Sequence, residues 1–130
     1  MIEGLIRLCA LDEMQDPGGR EFSWSEKKGG GCSVAFFLVR QGNEVFGYAN
    51  QCPHAGHQLN WMPDRFLTRE GDLILCNSHG ARFRIEDGLC VTGPCPGEYL
   101  RPISLEVCDQ EIFAREDQLR SVAALASKFS

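Results

Sequence analysis

Short apolar stretches separated by turn-forming residues fill most of the chain. Residues 33–40 are apolar on both faces, which is typical of a strand buried on both sides, and a turn at 41–43 leads into a second strand at 44–49. The apolar residues Ile103, Leu105 and Val107 alternate along the chain, the period of a half-buried strand. Further strands are predicted at 5–11, 21–24, 66–68, 73–75, 81–85, around Cys90 and at 111–115. Many short strands at this spacing predict a sandwich or a small barrel.

The C-terminal segment has a different pattern. Its apolar residues recur at i, i+3, i+4 and i+7, which predicts an amphipathic helix over 117–129 with acidic residues at its positive end. This helix could pack on its own domain or against a second copy in a homo-oligomer. Three segments, 50–65, 76–80 and 92–98, are rich in loop-forming residues.

Composition restricts the class of protein. The chain has 130 residues, of which 43% are hydrophobic and 24% charged, as expected for a single soluble domain. Its net charge is −5 and its largest basic block is Lys27-Lys28, so neither nucleic acid nor an anionic membrane is expected as a partner. The longest apolar run, 34–39, is too short to span a bilayer, and residues 1–4 do not resemble a secretion signal. We therefore expect a cytoplasmic protein.

Cysteine and histidine are the candidate chemistry. Seven cysteines are an odd number, and a disulfide framework is disfavoured in a reducing compartment. Cys52 and His54 follow one predicted strand, and Cys76 and His79 follow another, so two loops together supply two thiolates and two imidazoles.

Two kinds of metal centre could use these four ligands. A zinc ion would take all of them, but common zinc modules pair Cys with Cys and His with His over short spacings. Here each loop supplies one Cys and one His, which favours two adjacent irons, one bound by both cysteines and the other by both histidines. The pattern therefore indicates a [2Fe–2S] cluster of the Rieske type ahead of zinc.

The longer motifs carry a family resemblance. Residues 52–59 are C-P-H-A-G-H-Q-L and residues 76–83 are C-N-S-H-G-A-R-F, followed by Asp87-Gly88 and Gly93-Pro94. Over 5–107 the chain resembles the Rieske proteins, most closely the small Rieske-type ferredoxins. The resemblance implies an all-β Rieske (ISP-domain-like) fold of three antiparallel sheets. It places a Rieske domain at 1–108 with a cluster-binding subdomain at about 50–98, and leaves 109–130 as a strand and short C-terminal helix extension.

The same resemblance assigns roles to residues. Cys52 and Cys76 would bind the inner iron of one [2Fe–2S] cluster, and His54 and His79 the outer iron near the surface. The remaining residues of the ligand loops and of the 93–94 loop would shield the cluster: Gly56, His57, Ser78, Gly80, Ala81, Phe83, Gly93 and Pro94.

Several positions depart from other Rieske proteins. The 21 residues between His54 and Cys76 are more than is usual, which predicts an enlarged loop at 61–66 beside the cluster. His57 and Ser78 stand where the cytochrome-complex members have a disulfide. Ala81 and Phe83 stand where high-potential members have hydroxyl donors to sulfur, and their absence predicts a low midpoint potential, about −150 mV.

The other cysteines fall into two groups. Cys90 and Cys95 could form a disulfide across the 93–94 loop or remain two reduced thiols. Cys9, Cys32 and Cys108 lie in strand-like positions and are expected to be small buried hydrophobic residues.

The resemblance also implies a function. We expect an electron carrier, not catalytic alone, that takes electrons from a flavoprotein reductase and passes them to a terminal oxygenase or similar acceptor. No glycine-rich phosphate loop or nucleophile–base pair argues for a separate activity. A redox-sensing Rieske module and a small subunit of a larger reductase are the alternatives.

Overall fold

The computed structural model describes residues 4–25, 33–53, 58–60, 62–77, 80–93 and 96–126. Within these ranges the strands are β1 Leu5–Ala10, β2 Gly18–Ser25, β3 Ser33–Gln41, β4 Glu44–Ala49, β5 Leu73–Leu75, β6 Arg82–Arg84, β7 Cys90–Thr92, β8 Pro102–Ile103, β9 Leu105–Cys108 and β10 Glu111–Arg115. A 3₁₀ turn at Leu11–Glu13 follows β1, and helix α1 spans Glu116–Ala126.

These strands form three antiparallel sheets. Their orders are β1-β10-β9, β2-β3-β4-β8 and β5-β6-β7. The all-β class, the three antiparallel sheets and the C-terminal helix are confirmed. Strand β10 is the central strand of its sheet, and α1 packs mainly against β3. The domain boundaries given above remain a prediction.

Strand β3 separates two hydrophobic cores. Successive side chains of a strand point to opposite faces, so Phe37 and Val39 enter one core while Phe36 and Leu38 enter the other. The first core contains Cys52 and Cys76, and we call it the site core. The second is covered by α1, and all four of these β3 side chains are buried. The prediction that 33–40 is buried on both faces is confirmed.

The helix packs on its own domain. Leu119, Val122 and Ala123 are all buried within this single chain, in the core on the far side of β3 from Cys52. Residues 127–129 of the predicted helix lie outside the described residues. A homo-oligomer formed through the helix remains a prediction.

The alternating stretch at 103–107 is not one strand. Ile103 pairs with β4, whereas the strand from Leu105 pairs with β10 in a different sheet. Between them, the backbone N–H of Ser104 donates to the side chain of Gln118 on α1 instead of to a strand neighbour. The single predicted strand is therefore wrong, because a residue of the helix takes the hydrogen bond at the point where the chain changes sheets.

Two further expectations are wrong. Cys108 is exposed, since β9 is an edge strand and Cys108 is its last residue before a turn. Residues 66–68 form one isolated bridge, Leu67 with Ile74, and not a strand. In contrast, Cys9 is buried as expected, and Cys32 lies outside the described residues.

None of the helices among the described residues is both long enough and apolar enough to cross a bilayer.

Candidate metal centre

The two cysteines of the ligand motifs lie in one core. Cys52 follows the end of β4 and Cys76 directly follows β5, and each is at most 2% exposed. Both belong to the site core together with Leu59, Ala81 and Phe83. Residues that are 24 positions apart in the sequence are thus brought to one apolar environment.

Part of the predicted site lies outside the described residues. This applies to both candidate histidines and to several of the predicted shielding residues: His54, Gly56, His57, His79, Ser78 and Pro94. Within the part of the chain that the structure describes, no three His, Cys, Asp or Glu residues form a group suited to a metal ion. Of the four predicted ligands, the structure therefore describes the two cysteines, Cys52 and Cys76.

Backbone hydrogen bonds close the loop that follows β5, which carries Cys76 and is the second of the two predicted ligand loops. The N–H of Cys76 donates to the carbonyl oxygen of Ala81 at 2.8 Å, and the N–H of Gly80 donates to that of Cys76 at 3.0 Å. Between the two loops, the N–H of Asn77 donates to the carbonyl oxygen of Leu59 at 2.8 Å. The two loops are consequently joined directly beside Cys76.

A third loop rests on the second. Gly93 has φ +105°, a conformation that strains residues with a side chain. A Cβ atom at this position would lie 2.6 Å from the Cα of Ala81. The close packing of the two backbones therefore requires glycine at position 93, the first residue of the predicted 93–94 shielding loop.

The sheet beneath the loops is anchored to β4. The buried hydroxyl of Tyr48 donates to the carbonyl oxygen of Ile85 at 2.6 Å. Burial, with the nearby carboxylates of Asp87 and Glu86, raises the pKa of Tyr48 well above its ordinary value. Tyr48 therefore stays protonated and acts as a hydrogen-bond donor at neutral pH.

A salt bridge stabilises the turn after β6. Arg84 pairs with Asp87, whose carboxylate also accepts the N–H of Leu89 at 3.0 Å. The hydrogen bond from Arg84, followed by that from Leu89, lowers the pKa of Asp87. This turn carries the Asp87-Gly88 pair of the motif.

The possible disulfide between Cys90 and Cys95 remains a prediction. Cys90 is buried in the site core, and its thiol donates to the carbonyl oxygen of Thr92 at 3.3 Å. Cys95 lies outside the described residues.

Asn50 is a buried polar residue that none of the sequence motifs includes. Its side chain and that of Thr68 are the buried polar ones among the described residues. The signal available in the sequence was a polar residue at the end of an apolar strand, two positions before Cys52. Its hydrogen bonds reach into the first ligand loop.

The described donors fit an iron–sulfur cluster. Such clusters take cysteine thiolates as ligands, and Cys52 and Cys76 place two thiol groups in one apolar core. Burial against Leu59, Ala81 and Phe83 keeps water away from this side of the site. The chemistry and surroundings of the two thiols thus agree with an inner metal position.

With three antiparallel sheets and two cysteines buried in one core, the chain falls in the class of all-β proteins with thiols available to a metal centre. The family model of the Rieske [2Fe-2S] domain matches residues 5–124, and the chain belongs to this family. Its cofactor is one [2Fe–2S] cluster, as expected from the paired motifs. No curated protein sequence matches the chain significantly.

Solved ferredoxins share the fold. The ferredoxin of carbazole 1,9a-dioxygenase from Nocardioides aromaticivorans is 21% identical, with 87% of this chain and 98% of that chain covered and a TM-score of 0.63. A Sphingomonas yanoikuyae ferredoxin is 22% identical, covering 85% and 96%, with a TM-score of 0.61. A chain from a complex of oxygenase and ferredoxin in carbazole 1,9a-dioxygenase is 20% identical, covering 88% and 95%, with a TM-score of 0.64. The resemblance to Rieske-type ferredoxins is confirmed at the level of the fold.

Proposed function

We propose that this protein is a one-electron carrier of an oxygenase system. It would accept one electron from a flavoprotein reductase and pass it to a terminal oxygenase, returning to its starting state after each transfer. The observation that carries the proposal is the coverage of the similarity, because the shared fold includes 98% of a dioxygenase ferredoxin. A solved complex joins oxygenase and ferredoxin of such a system. We also propose a cytoplasmic location, because the odd number of cysteines argues against a disulfide framework.

Four residues are proposed to hold the cofactor. Cys52 and Cys76 would bind the inner iron, and His54 and His79 the outer iron. A bound [2Fe–2S] cluster supplies a centre that gains and loses one electron. The residues of the chain fix its surroundings: Ala81 and Phe83, both 0% exposed, exclude water from the site core.

The partner surface is proposed to lie around the two ligand loops. His54 and His79 would face the partner there, giving the electron a short path. Electron-transfer partners commonly form small, transient interfaces. We propose that the enlarged 61–66 loop borders this surface, where Met62 is 38% exposed.

Spectroscopy and turnover test the carrier function. The reduced protein is expected to show the visible and EPR spectra of a Rieske cluster. It should also couple a flavoprotein reductase to an oxygenase in a reconstituted assay. A colourless protein containing one zinc ion would refute the cofactor assignment. A Rieske spectrum without electron transfer to any oxygenase would refute the carrier role and favour a sensor.

We expect a midpoint potential near −150 mV, roughly the lower end of the Rieske range. Ala81 and Phe83 have no hydroxyl group to donate to sulfur, and such hydrogen bonds stabilise the reduced, more negative cluster. Voltammetry of the purified protein measures this value. A potential above about +100 mV would refute this inference.

A further inference from the structure

We propose that Asn50 is a positioning residue that fixes the two ligand loops relative to each other. The inference rests on the proposed ligands Cys52 and Cys76. It concerns a chain of hydrogen bonds that begins at the Asn50 side chain and ends beside Cys76. We call this chain, from Asn50 through Leu59 to Asn77, the loop clamp.

The first link closes the first ligand loop. Asn50 is 6% exposed, and its Oδ1 accepts the backbone N–H of Leu59 at 2.8 Å. Its own backbone N–H donates to the carbonyl oxygen of Ala35 on β3, so the residue is also fixed to the sheet. The segment 51–58, which carries Cys52 and His54, is therefore held at both ends.

The second link joins the loops. The carbonyl oxygen of Leu59 accepts the N–H of Asn77 at 2.8 Å, and Asn77 directly follows Cys76. A single peptide segment at Leu59 thus receives a hydrogen bond from the second loop and donates one to Asn50. A shift of Leu59 would change the position of both loops together.

An outer network orients the Asn50 amide. Its Nδ2 donates to Oδ1 of Asn60 at 2.9 Å, and Nδ2 of Asn60 donates to Oε2 of Glu21 at 2.7 Å. Because Asn60 uses its oxygen toward Asn50, its amino group must face acceptors, and Glu21 on the edge strand β2 supplies one.

The enlarged loop completes this network. The N–H of Glu21 donates to Oδ1 of Asp64 at 2.8 Å, and the N–H of Asp64 donates to Oε2 of Glu21 at 3.1 Å. Nδ2 of Asn60 also donates to the carbonyl oxygen of Met62 at 2.9 Å. Met62 and Asp64, in the predicted enlarged loop, therefore hold Asn60 and Glu21 in place beside the Asn50 amide.

The hydrogen bonds around position 50 require an amide side chain there. One atom must accept from Leu59 and the other must donate to Asn60. A carboxylate could only accept, and an alanine would leave the buried N–H of Leu59 without its hydrogen bond, which is costly. Among uncharged side chains of this length, only asparagine can both accept a hydrogen bond from Leu59 and donate one to Asn60.

The decisive variant is Asn50→Ala in the cluster-loaded protein. Backbone amide exchange at Leu59 and at Asn77 should accelerate about tenfold or more, because the clamp loses its first link. The reduced protein should give a broadened EPR spectrum and lose iron to a chelator about tenfold faster or more. Site-resolved mass spectrometry measures the exchange rates.

Asn43→Ala is the matched control. Asn43 is exposed in the β3–β4 turn, at the opposite end of β4 from Asn50. This variant should keep wild-type exchange, spectrum and iron-loss rates. If Asn50→Ala does not fold, Asn60→Ala breaks the same network from its more exposed side and should shift all three readouts in the same direction, by less.

The outcomes separate this inference from the proposed function. If Asn50→Ala, or Asn60→Ala in its place, accelerates exchange at Leu59 only and leaves Asn77 and the EPR spectrum unchanged, the positioning role is wrong. If the wild-type protein shows no Rieske spectrum, the ligand assignment fails. Exchange at Leu59 and Asn77 would still report whether the loops are clamped.

Discussion

Replacing Cys76 with serine should abolish the cluster. Cys76 is 1% exposed and lies in the same core as Cys52, so no solvent-exposed thiol can readily take its place. A serine hydroxyl is a poor substitute for the thiolate that iron–sulfur clusters bind. The purified Cys76→Ser protein is expected to lack the visible absorption and the EPR signal, with iron and sulfide content near zero. Cys52→Ser should give the same result.

Cys108→Ser is the control for this experiment. Cys108 is exposed on the edge strand β9, outside the site core. Its replacement should leave iron content, spectrum and midpoint potential unchanged. A Cys76→Ser protein that retains a full Rieske spectrum would contradict the ligand assignment, as would loss of the cluster in Cys108→Ser alone.

Gly93→Ala should destabilise the protein strongly. The substitution adds a Cβ atom 2.6 Å from the Cα of Ala81, at a backbone φ of +105°. Backbone strain of this kind costs about 1 to 3 kcal/mol, and overpacking costs about 1 to 3 kcal/mol more. We expect the melting temperature of the cluster-loaded protein to fall by about 10 °C or more. Iron loss to a chelator should accelerate as the third loop moves away from the second.

Gly97→Ala separates packing from strain. Gly97 also has a positive φ, +86°, but a Cβ atom there would meet nothing within 4 Å. The variant should therefore show only the conformational cost, about 1 to 2 kcal/mol, with a near-normal rate of iron loss. Equal effects of the two substitutions, measured by calorimetry and chelation, would show that the contact between Gly93 and Ala81 contributes nothing.

Much of the fold could be predicted from local pattern. Strand β3 could be predicted because a strand buried on both faces has an unbroken run of apolar residues, as at 34–39. The turn at 41–43 and the helix after Glu116 follow from residue preferences that act over a few positions. The same local pattern at 103–107 was misleading. Alternation does not reveal which sheet each residue joins, and Gln118 of the helix interrupts the strand at Ser104.

Burial was also harder to predict than strand position. Cys9 and Cys108 both lie in strands, yet one is buried and the other exposed. The difference comes from the order of strands in the sheet and from what covers each face, and neither is encoded in the immediate neighbours of a residue. Val107 is 47% exposed despite the alternating pattern, and the same two factors explain its exposure.

The family and its cofactor could be recognised from the motifs alone. The spacing of cysteine and histidine within each motif depends only on local chain geometry and ligand chemistry, so it can be recognised without knowing the fold. How the motifs are supported depends instead on the folded chain. Hydrogen bonds connect Asn50 to Leu59 and Leu59 to Asn77, and Gly93 packs against Ala81. These contacts join residues that are 9 to 18 positions apart. Such contacts depend on how separate loops and sheets pack together, so they became visible only once the chain was folded.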